Sequence, residues 1–512
     1  MTVASSAPIK PSGSWAFASA RPVVAALVMV MIVTCARIGG TVDSDVAWQL
    51  WIAQRLHAGA NLYTDIIETN PPLWFWMAVP VERLAALLHL RIECVLIAAI
   101  GLCAAVSLAA TDRLARHIPA HRRALLLAYG AIALTAMPWM HVGQREQIVL
   151  LAALPYAALL AARREGRHVS PALAVSIGLG AALGFALKQY FLIVPAMLEL
   201  WLLAAQRRSW RPLRPETAAL VAAGVGYLAL IILVEPDFLS RIVPLILLAY
   251  GAFGAPSIRY LFGPFAIIGL LMLLALGLCA RVLSGRAAPL ASALAVAAFS
   301  FALVYFIQFK GWPYHAIPLI GCGSLALAAL MAEPDRAPSF LKIFGPALLL
   351  LPLALSAEEQ LNPALPSPDL INAVSGLDRG DNIAFLTTET AIPWSVTLQG
   401  GYRFASRYNG FWMMDAIIRN EDAGNPDRRL AALGRQIVSE TVTDLACIPP
   451  RRIIVTRPRP GEPAFDILPF FLRDGRFRVL LSHYRVTSRT SLETYERAVP
   501  FAPASSGCRR GV

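Results

Sequence analysis

The densest chemistry in this chain lies between Asp43 and Leu73, directly after a first long apolar block. It reads Asp43-Ser-Asp45-Val-Ala-Trp-Gln-Leu-Trp-Ile-Ala-Gln-Arg55, then Gly59, then Leu62-Tyr63-Thr-Asp65-Ile-Ile-Glu68-Thr-Asn70-Pro71-Pro72-Leu73. Two carboxylates at the end of a membrane-length block are costly unless solvated or used. Asp43 and Asp45 are therefore either caps of the helix that follows, since Asp is a favoured N-cap, or working groups. Asp65 and Glu68 read as a turn acid and a first-turn acid. A second cluster, His141-Val-Gly-Gln-Arg145-Glu146-Gln147, follows the third apolar block. An Arg145–Glu146 pair there would bind sugar hydroxyls or phosphate, or simply anchor the end of a span. Lysine is scarce: Lys10, Lys188, Lys310 and Lys342 are the four among 45 basic residues. Lys188-Gln-Tyr190 and Lys310-Gly-Trp312-Pro-Tyr314-His315 each set an ammonium beside aromatics at a block's end. A compact ammonium is a suitable phosphate ligand, and Tyr and Trp also mark membrane interfaces.

The elements that must position these residues are membrane helices. The chain has 512 residues, 57% hydrophobic and 15% charged, with mean hydropathy +0.59. Soluble domains average about 45–50% apolar and about 25% charged. Composition thus excludes a soluble enzyme and a disordered or fibrous chain. Eleven apolar blocks read as spans: 21–40, 92–110, 124–139, 148–162, 171–187, 190–205, 217–234, 261–280, 288–307, 314–332 and 341–356. Each approaches the ~20 residues that a ~30 Å hydrocarbon core demands. The first lacks a small-residue cleavage site and is read as an anchor. Val46–Ala58, with Trp48 and Trp51, has the pattern of an interfacial amphipathic helix, and Pro71-Pro72 starts a new element.

Alternate connections carry the arginines: Arg113 to Arg123, Arg163 to Arg167, Arg207 to Arg214, Arg281 and Arg286, then Arg336 with Lys342. The positive-inside rule makes these cytoplasmic. The formal charge of +13 is then a topology signal, and nucleic acid is not an expected partner. Residues 1–20 become a cytoplasmic tail and 41–91 a first external loop. Residues 357–512 become an external α/β domain, outside the 21–356 membrane domain. In that external domain Asn382–Thr387, Arg452–Thr456 and Phe477–Leu481 have strand patterns, and Leu430–Thr441 has helical spacing. Tyr402-Arg403-Phe404 and Arg407 to Trp412 would serve as domain core or stack on a glycan. Cys447 and Cys508 are able to pair in an oxidising compartment, although spacing alone does not decide it. Cys35, Cys94, Cys103, Cys279 and Cys322 lie in or beside apolar blocks, and no Cys/His cluster proposes a metal.

An acid just after the first span, a helix ending in Gly59, then Leu62-Tyr63-Thr-Asp65 and Pro71-Pro72-Leu73 together resemble the first loop of GT-C membrane glycosyltransferases. The similarity is to the glycosyltransferase family 39-like group, which includes protein O-mannosyltransferases, aminoarabinose transferases and RgtA/B/C/D-like proteins. The resemblance implies a polytopic α-helical GT-C fold with an extracytoplasmic C-terminal domain, in a bacterial inner membrane. It implies an inverting transferase that moves a sugar from a polyprenyl-phosphate donor to lipopolysaccharide or lipid A, polysaccharide or protein. By that resemblance Asp45 is the catalytic base, with Asp43 beside it and Glu146 as the second-loop acid. Arg55, Tyr63, Arg145, Lys188, Lys310, Tyr314 and His315 are the expected substrate-binding groups. No cofactor is expected, and the resemblance leaves a metal requirement open. Many relatives carry Lys where this chain has Asn70, which removes one expected phosphate contact. Two other readings stand beside this one: a carrier or flippase for a lipid-linked sugar, and a non-catalytic glycan-binding membrane protein. A transporter would place ionisable groups at mid-membrane, and Glu199 is the one plausible intramembrane acid.

Overall fold

The computed structural model describes residues 14–252, 258–284, 288–333, 337–362, 366–421, 426–457 and 466–501, together with Cys508. Residues 1–13 of the expected tail, Arg286 and Arg336 lie outside these. The helices are, in chain order, α1 Ser14–Arg37, α2 Ser44–His57, α3 Leu73–Leu88, α4 Ile92–Ala115, α5 Ala120–Ala131, α6 Arg145–Arg164, α7 Pro171–Phe185, α8 Ile193–Gln206, α9 Pro215–Val234, α10 Val243–Ala252, α11 Pro264–Leu278, α12 Ala280–Ser284, α13 Pro289–Gln308, α14 Ile317–Met331 and α15 Ser339–Leu361. Every one of the eleven expected spans falls on one of these helices. Proline opens α7, α9, α11 and α13, where its missing N–H costs nothing. Among the described residues seven helices are long and apolar enough to cross a bilayer. Helices α7 and α11, at 15 residues each, span only about 22 Å. The protein is a multi-pass membrane protein.

The centre of the bundle is formed by α6 and α14, each 89% buried across its span. Small residues let helices close up on α6: a Cβ on Gly321 of α14 would meet Leu150 Cδ2 at 2.4 Å, and one on Gly184 of α7 would meet Ala152 Cβ at 2.5 Å. Helix α9 is the opposite case, 6% buried, and it leans on α7. There a Cβ on Gly178 would stand 2.4 Å from the Glu216 carbonyl oxygen.

The arginine-rich connections gather at one end. Arg163 and Arg214 both bond Glu216, Arg214 also bonds Glu199, Arg123 meets Asp112 at 2.9 Å, and Arg167 reaches the Leu114 carbonyl. At the other end lie the first loop, the 138–144 turn and the C-terminal domain. Trp74 Nε1 donates to the Gly143 carbonyl, Arg241 to the Tyr63 carbonyl and to Glu440, and the Ile67 amide to the Arg407 carbonyl. Alternation of charge in the sequence thus corresponds to two chemically different ends.

The C-terminal domain carries a five-stranded sheet, ordered β2-β1-β3-β5-β4. The strands are β1 Asn382–Leu386, β2 Arg403–Phe404, β3 Arg452–Thr456, β4 Tyr484–Arg489 and β5 Leu492–Arg497. Strands β1, β2 and β3 run parallel, and the β4–β5 hairpin adds antiparallel to β3. The expected strand at Phe477–Leu481 is instead the helix Gly475–Leu481. The Asp474 carboxylate accepts from the Arg476 and Phe477 amides, and that cap starts a helical turn which a five-residue apolar run does not oppose. Phe404, Tyr408 and Phe411 are buried, so the aromatic-Arg segment is mostly core. Cys447 and Cys508 form a disulfide.

Helix α2 departs from the interfacial reading. Val46 through Ala53 are all buried, because α3 covers one side and the domain covers the other. Trp48 and Trp51 stack at 4.9 Å, and Trp394 of the domain packs on both, at 4.7 and 5.4 Å.

Candidate active site

The two acids of the first loop hold different positions. Asp43 is the N-cap of α2: its Oδ1 accepts from the Asp45 amide at 2.8 Å and from Gln144 Nε2 at 3.2 Å, while Oδ2 faces His141 Nδ1 at 3.3 Å. Asp45 sits in the first turn, and its Oδ2 accepts from the Tyr314 hydroxyl at 3.0 Å. Burial, and then the neighbouring Asp43 charge, push the Asp45 carboxyl above the usual carboxylate range; Arg145 and the Tyr314 hydrogen bond pull the other way. Such a carboxyl is a stronger proton acceptor than a free aspartate.

His141 closes the cluster from the 138–144 turn. Its Nε2 lies 3.8 Å from Glu359 Oε1, past the bilayer-length part of α15. Burial lowers its pKa, but Asp43 and Glu359 outweigh burial and raise it to about 9. His141 is thus an imidazolium at neutral pH, tying the second turn to the α2 cap.

Arg145 and Glu146 open α6, and they do not pair with each other. Successive helix residues point about 100° apart. Glu146, fully buried, takes the Lys188 ammonium at 2.6 Å and lies 3.5 Å from His315 Nε2. Lys188 also reaches Gln308 Oε1 at 3.1 Å and His315 Nε2 at 3.3 Å. Arg145 is 5% exposed, and its Nε and Nη1 are buried without a hydrogen-bond partner. Its charge acts on Asp45. A buried guanidinium with open donors is able to take an anion, because an unpaired buried cation is expensive.

Tyr314 and His315 come from the 3-10 turn Pro313–Ala316, their rings 4.7 Å apart. Proline and the tight turn set both rings at the mouth of α14. Lys310, three residues before that turn, lies over the Tyr250 ring at 4.0 Å and the Trp312 ring at 5.3 Å. Burial, then the charge of Lys188, lower its pKa to about 8.

Two expected binding residues stand elsewhere. Tyr63 is fully buried with φ +70°, and its hydroxyl donates to the Asn70 carbonyl. It shapes the loop, in a left-handed conformation that few side chains adopt. Arg55 lies ten residues along α2 from Asp45, about 15 Å by helical rise, over the Trp51 ring. Asn70 donates to Glu68, which also accepts from Trp48 Nε1, so the position where relatives carry lysine is here a loop tie. Residue type did not mark His141, Gln144, Gln308 and Glu359 in advance. His141 sits inside the motif that contained Arg145, and Glu359 in the charged exit of the last span.

Among the described residues no three His, Cys, Asp or Glu side chains are grouped to hold a metal ion. No family model matches the sequence, and no curated protein matches it. Solved structures do. ArnT from Cupriavidus metallidurans in the apo state aligns with 94% of this chain and 98% of its own, at 14% identity and TM-score 0.53. The same protein bound to undecaprenyl phosphate aligns with 95% and 98%, at 14% identity and TM-score 0.50. This chain has a GT-C fold. In this fold the first loop and the C-terminal domain meet at the end of the bundle that holds the Asp45 cluster.

Proposed function

We propose that the protein is an inverting GT-C glycosyltransferase that moves a sugar from a polyprenyl-phosphate donor to an extracytoplasmic acceptor. The observation that carries this is the pairing of Asp45, raised in basicity and held by Tyr314, with the buried Arg145 whose donors are open. In the proposed step Asp45 takes the proton of the acceptor hydroxyl. The acceptor oxygen attacks the anomeric carbon from the face opposite the phosphate. The anomeric carbon–oxygen bond breaks and its electron pair leaves with the polyprenyl phosphate, inverting the configuration. Arg145, with Lys188 and Lys310 behind it, stabilises the charge that develops on the phosphate. ArnT's structure with undecaprenyl phosphate supports the donor class. Residues 357–512 and the 41–91 loop would face the periplasm of an inner-membrane protein, and the Cys447–Cys508 bond suits an oxidising compartment. The acceptor would be lipopolysaccharide or lipid A, another polysaccharide, or protein.

The carrier reading loses its one acid. Glu199 is tied to Arg214, Tyr156 and Trp210 at the arginine-rich end, so it is spent on structure. The non-catalytic reading predicts no product. Membranes from cells with and without the gene, compared by mass spectrometry of lipid-linked sugars and surface glycans, test the proposal. A gene-dependent glycan that disappears with Asp45→Asn is the expected result. Unchanged glycans in both comparisons would overturn it.

A further inference from the structure

A cavity of about 1020 Å³ opens where the end of α2, the end of α3 and the start of α4 meet the C-terminal domain. It is separate from the Asp45 cluster, at the other end of α2. Four arginines line it, Arg55, Arg91, Arg379 and Arg403, against two acids, Glu82 and Glu93. Both acids are engaged: Glu93 takes Arg91 at 2.8 Å and Glu82 lies 3.7 Å from His57. The positive surplus therefore rests on Arg379 and Arg403, with Arg55 beside them under the influence of Asp65 and Asp444. The Nε of Arg55 is buried with no hydrogen-bond partner. Arg379 lies across Gly401, its guanidinium 3.0–3.2 Å from where a Cβ would stand, and Gly401 has φ +67°. Only glycine meets both demands there. Arg403 is register partner to Asn382 at the sheet edge, so it leaves from a fixed strand. Tyr402 supplies an aromatic ring in the same wall, whereas Trp51 is buried between Trp48, Trp394 and Arg55.

We propose that this groove binds an acidic saccharide, a sugar chain bearing carboxylate or phosphate. Guanidiniums recognise such anions, and the Tyr402 ring takes the apolar side of a sugar. The assignment deepens the transferase reading by naming its acceptor class. Arg55 and Asp45 stand at opposite ends of α2, about 15 Å apart by helical rise.

The test uses the full-length protein in phosphatidylcholine nanodiscs, free of anionic lipid, and calorimetry with three probes. Trigalacturonate carries carboxylates, glucose 6-phosphate carries phosphate, and maltotriose is neutral. Binding of at least one acidic probe, weakened by salt and absent for maltotriose, is expected. Which acidic probe binds identifies the anion. The double variant Arg379→Gln/Arg403→Gln changes two exposed side chains and should bind about tenfold more weakly or worse. Asp45→Asn should bind as wild type does. This separates the two ideas: loss of transfer in Asp45→Asn with binding intact speaks to catalysis, and loss of binding in the arginine pair speaks to the groove. Equal affinity for maltotriose, no binding of either acidic probe, or an unaffected double variant would each overturn the proposal.

Discussion

The Asp43 carboxylate faces three partners, the Asp45 amide, Gln144 and His141, whereas the Asp45 side chain takes one, from Tyr314. That asymmetry separates two acids that their types alone left equivalent. Asp45→Asn is expected to lower turnover by a thousandfold or more at unchanged melting temperature, since in the proposed step it removes the base and little else. Asp43→Asn is expected to cost stability instead, about 0.5–2 kcal/mol for a weakened cap, with partial activity; turnover and thermal melts of the two purified variants check both. The raised basicity of Asp45 sets a pH dependence. In the proposed step Asp45 works only when deprotonated, so activity should fall as pH drops through a value above the ordinary aspartate pKa of about 3.9. The Tyr314 bond stabilises the carboxylate, so Tyr314→Phe should move this acid limb to higher pH; an unmoved or lowered limb in the pH–rate profile would contradict the geometry. For His141 the sign is opposite. Its folded pKa is raised to about 9, so its contribution is complete below about 6.5 and lost as pH rises through 9. The melting difference between wild type and His141→Gln should therefore shrink between pH 7 and pH 10.

At the scale of elements, the eleven apolar blocks were legible because bilayer thickness imposes length and composition together. The enclosure of α2 was not, since Trp48 and Trp51 read the same against lipid as against Trp394. The Phe477–Leu481 run failed as a strand because its five residues fit either period and the deciding signal was the Asp474 cap. Arg145 and Glu146 were legible as a charged motif; that they face different partners required helix geometry and the distant Lys188. Two elements carry tests. Helix α9 leans on α7 through Gly178, so Gly178→Val should overpack that seam and cost about 1–3 kcal/mol, read as a lowered melting temperature. The Cys447–Cys508 bond closes a loop across 61 residues, and removing it by Cys447→Ser should cost about 2–4 kcal/mol, seen in non-reducing melts and reproduced in the wild type by a reductant.

For the whole molecule, the two ends of the bundle differ in chemistry as the alternating arginines of the sequence require. The proposed orientation rests on that contrast and the positive-inside rule. Reporter fusions after residues 165 and 212 are expected to report cytoplasm, and one after residue 400 periplasm. A cytoplasmic signal at 400 would put the Asp45 cluster on the wrong side for an extracytoplasmic acceptor. Contacts between distant segments were the illegible part. Glu359 meeting His141, or Tyr314 meeting Asp45, joins residues hundreds of positions apart, and no local period encodes such a meeting.

Helix α2 is a fourteen-residue rod with Asp45 at one end and Arg55 at the other, and it is packed along its middle. Such a rod does not bend cheaply, so a shift at one end is a shift at both. If both proposed sites are occupied as argued, their occupancies would be thermodynamically linked, and linkage is symmetric: whatever factor an acidic saccharide imposed on donor affinity, the donor would impose on the saccharide. The rod would thereby impose an order on events, with hydrolysis of the donor by stray water suppressed until an acceptor has set the carboxylate.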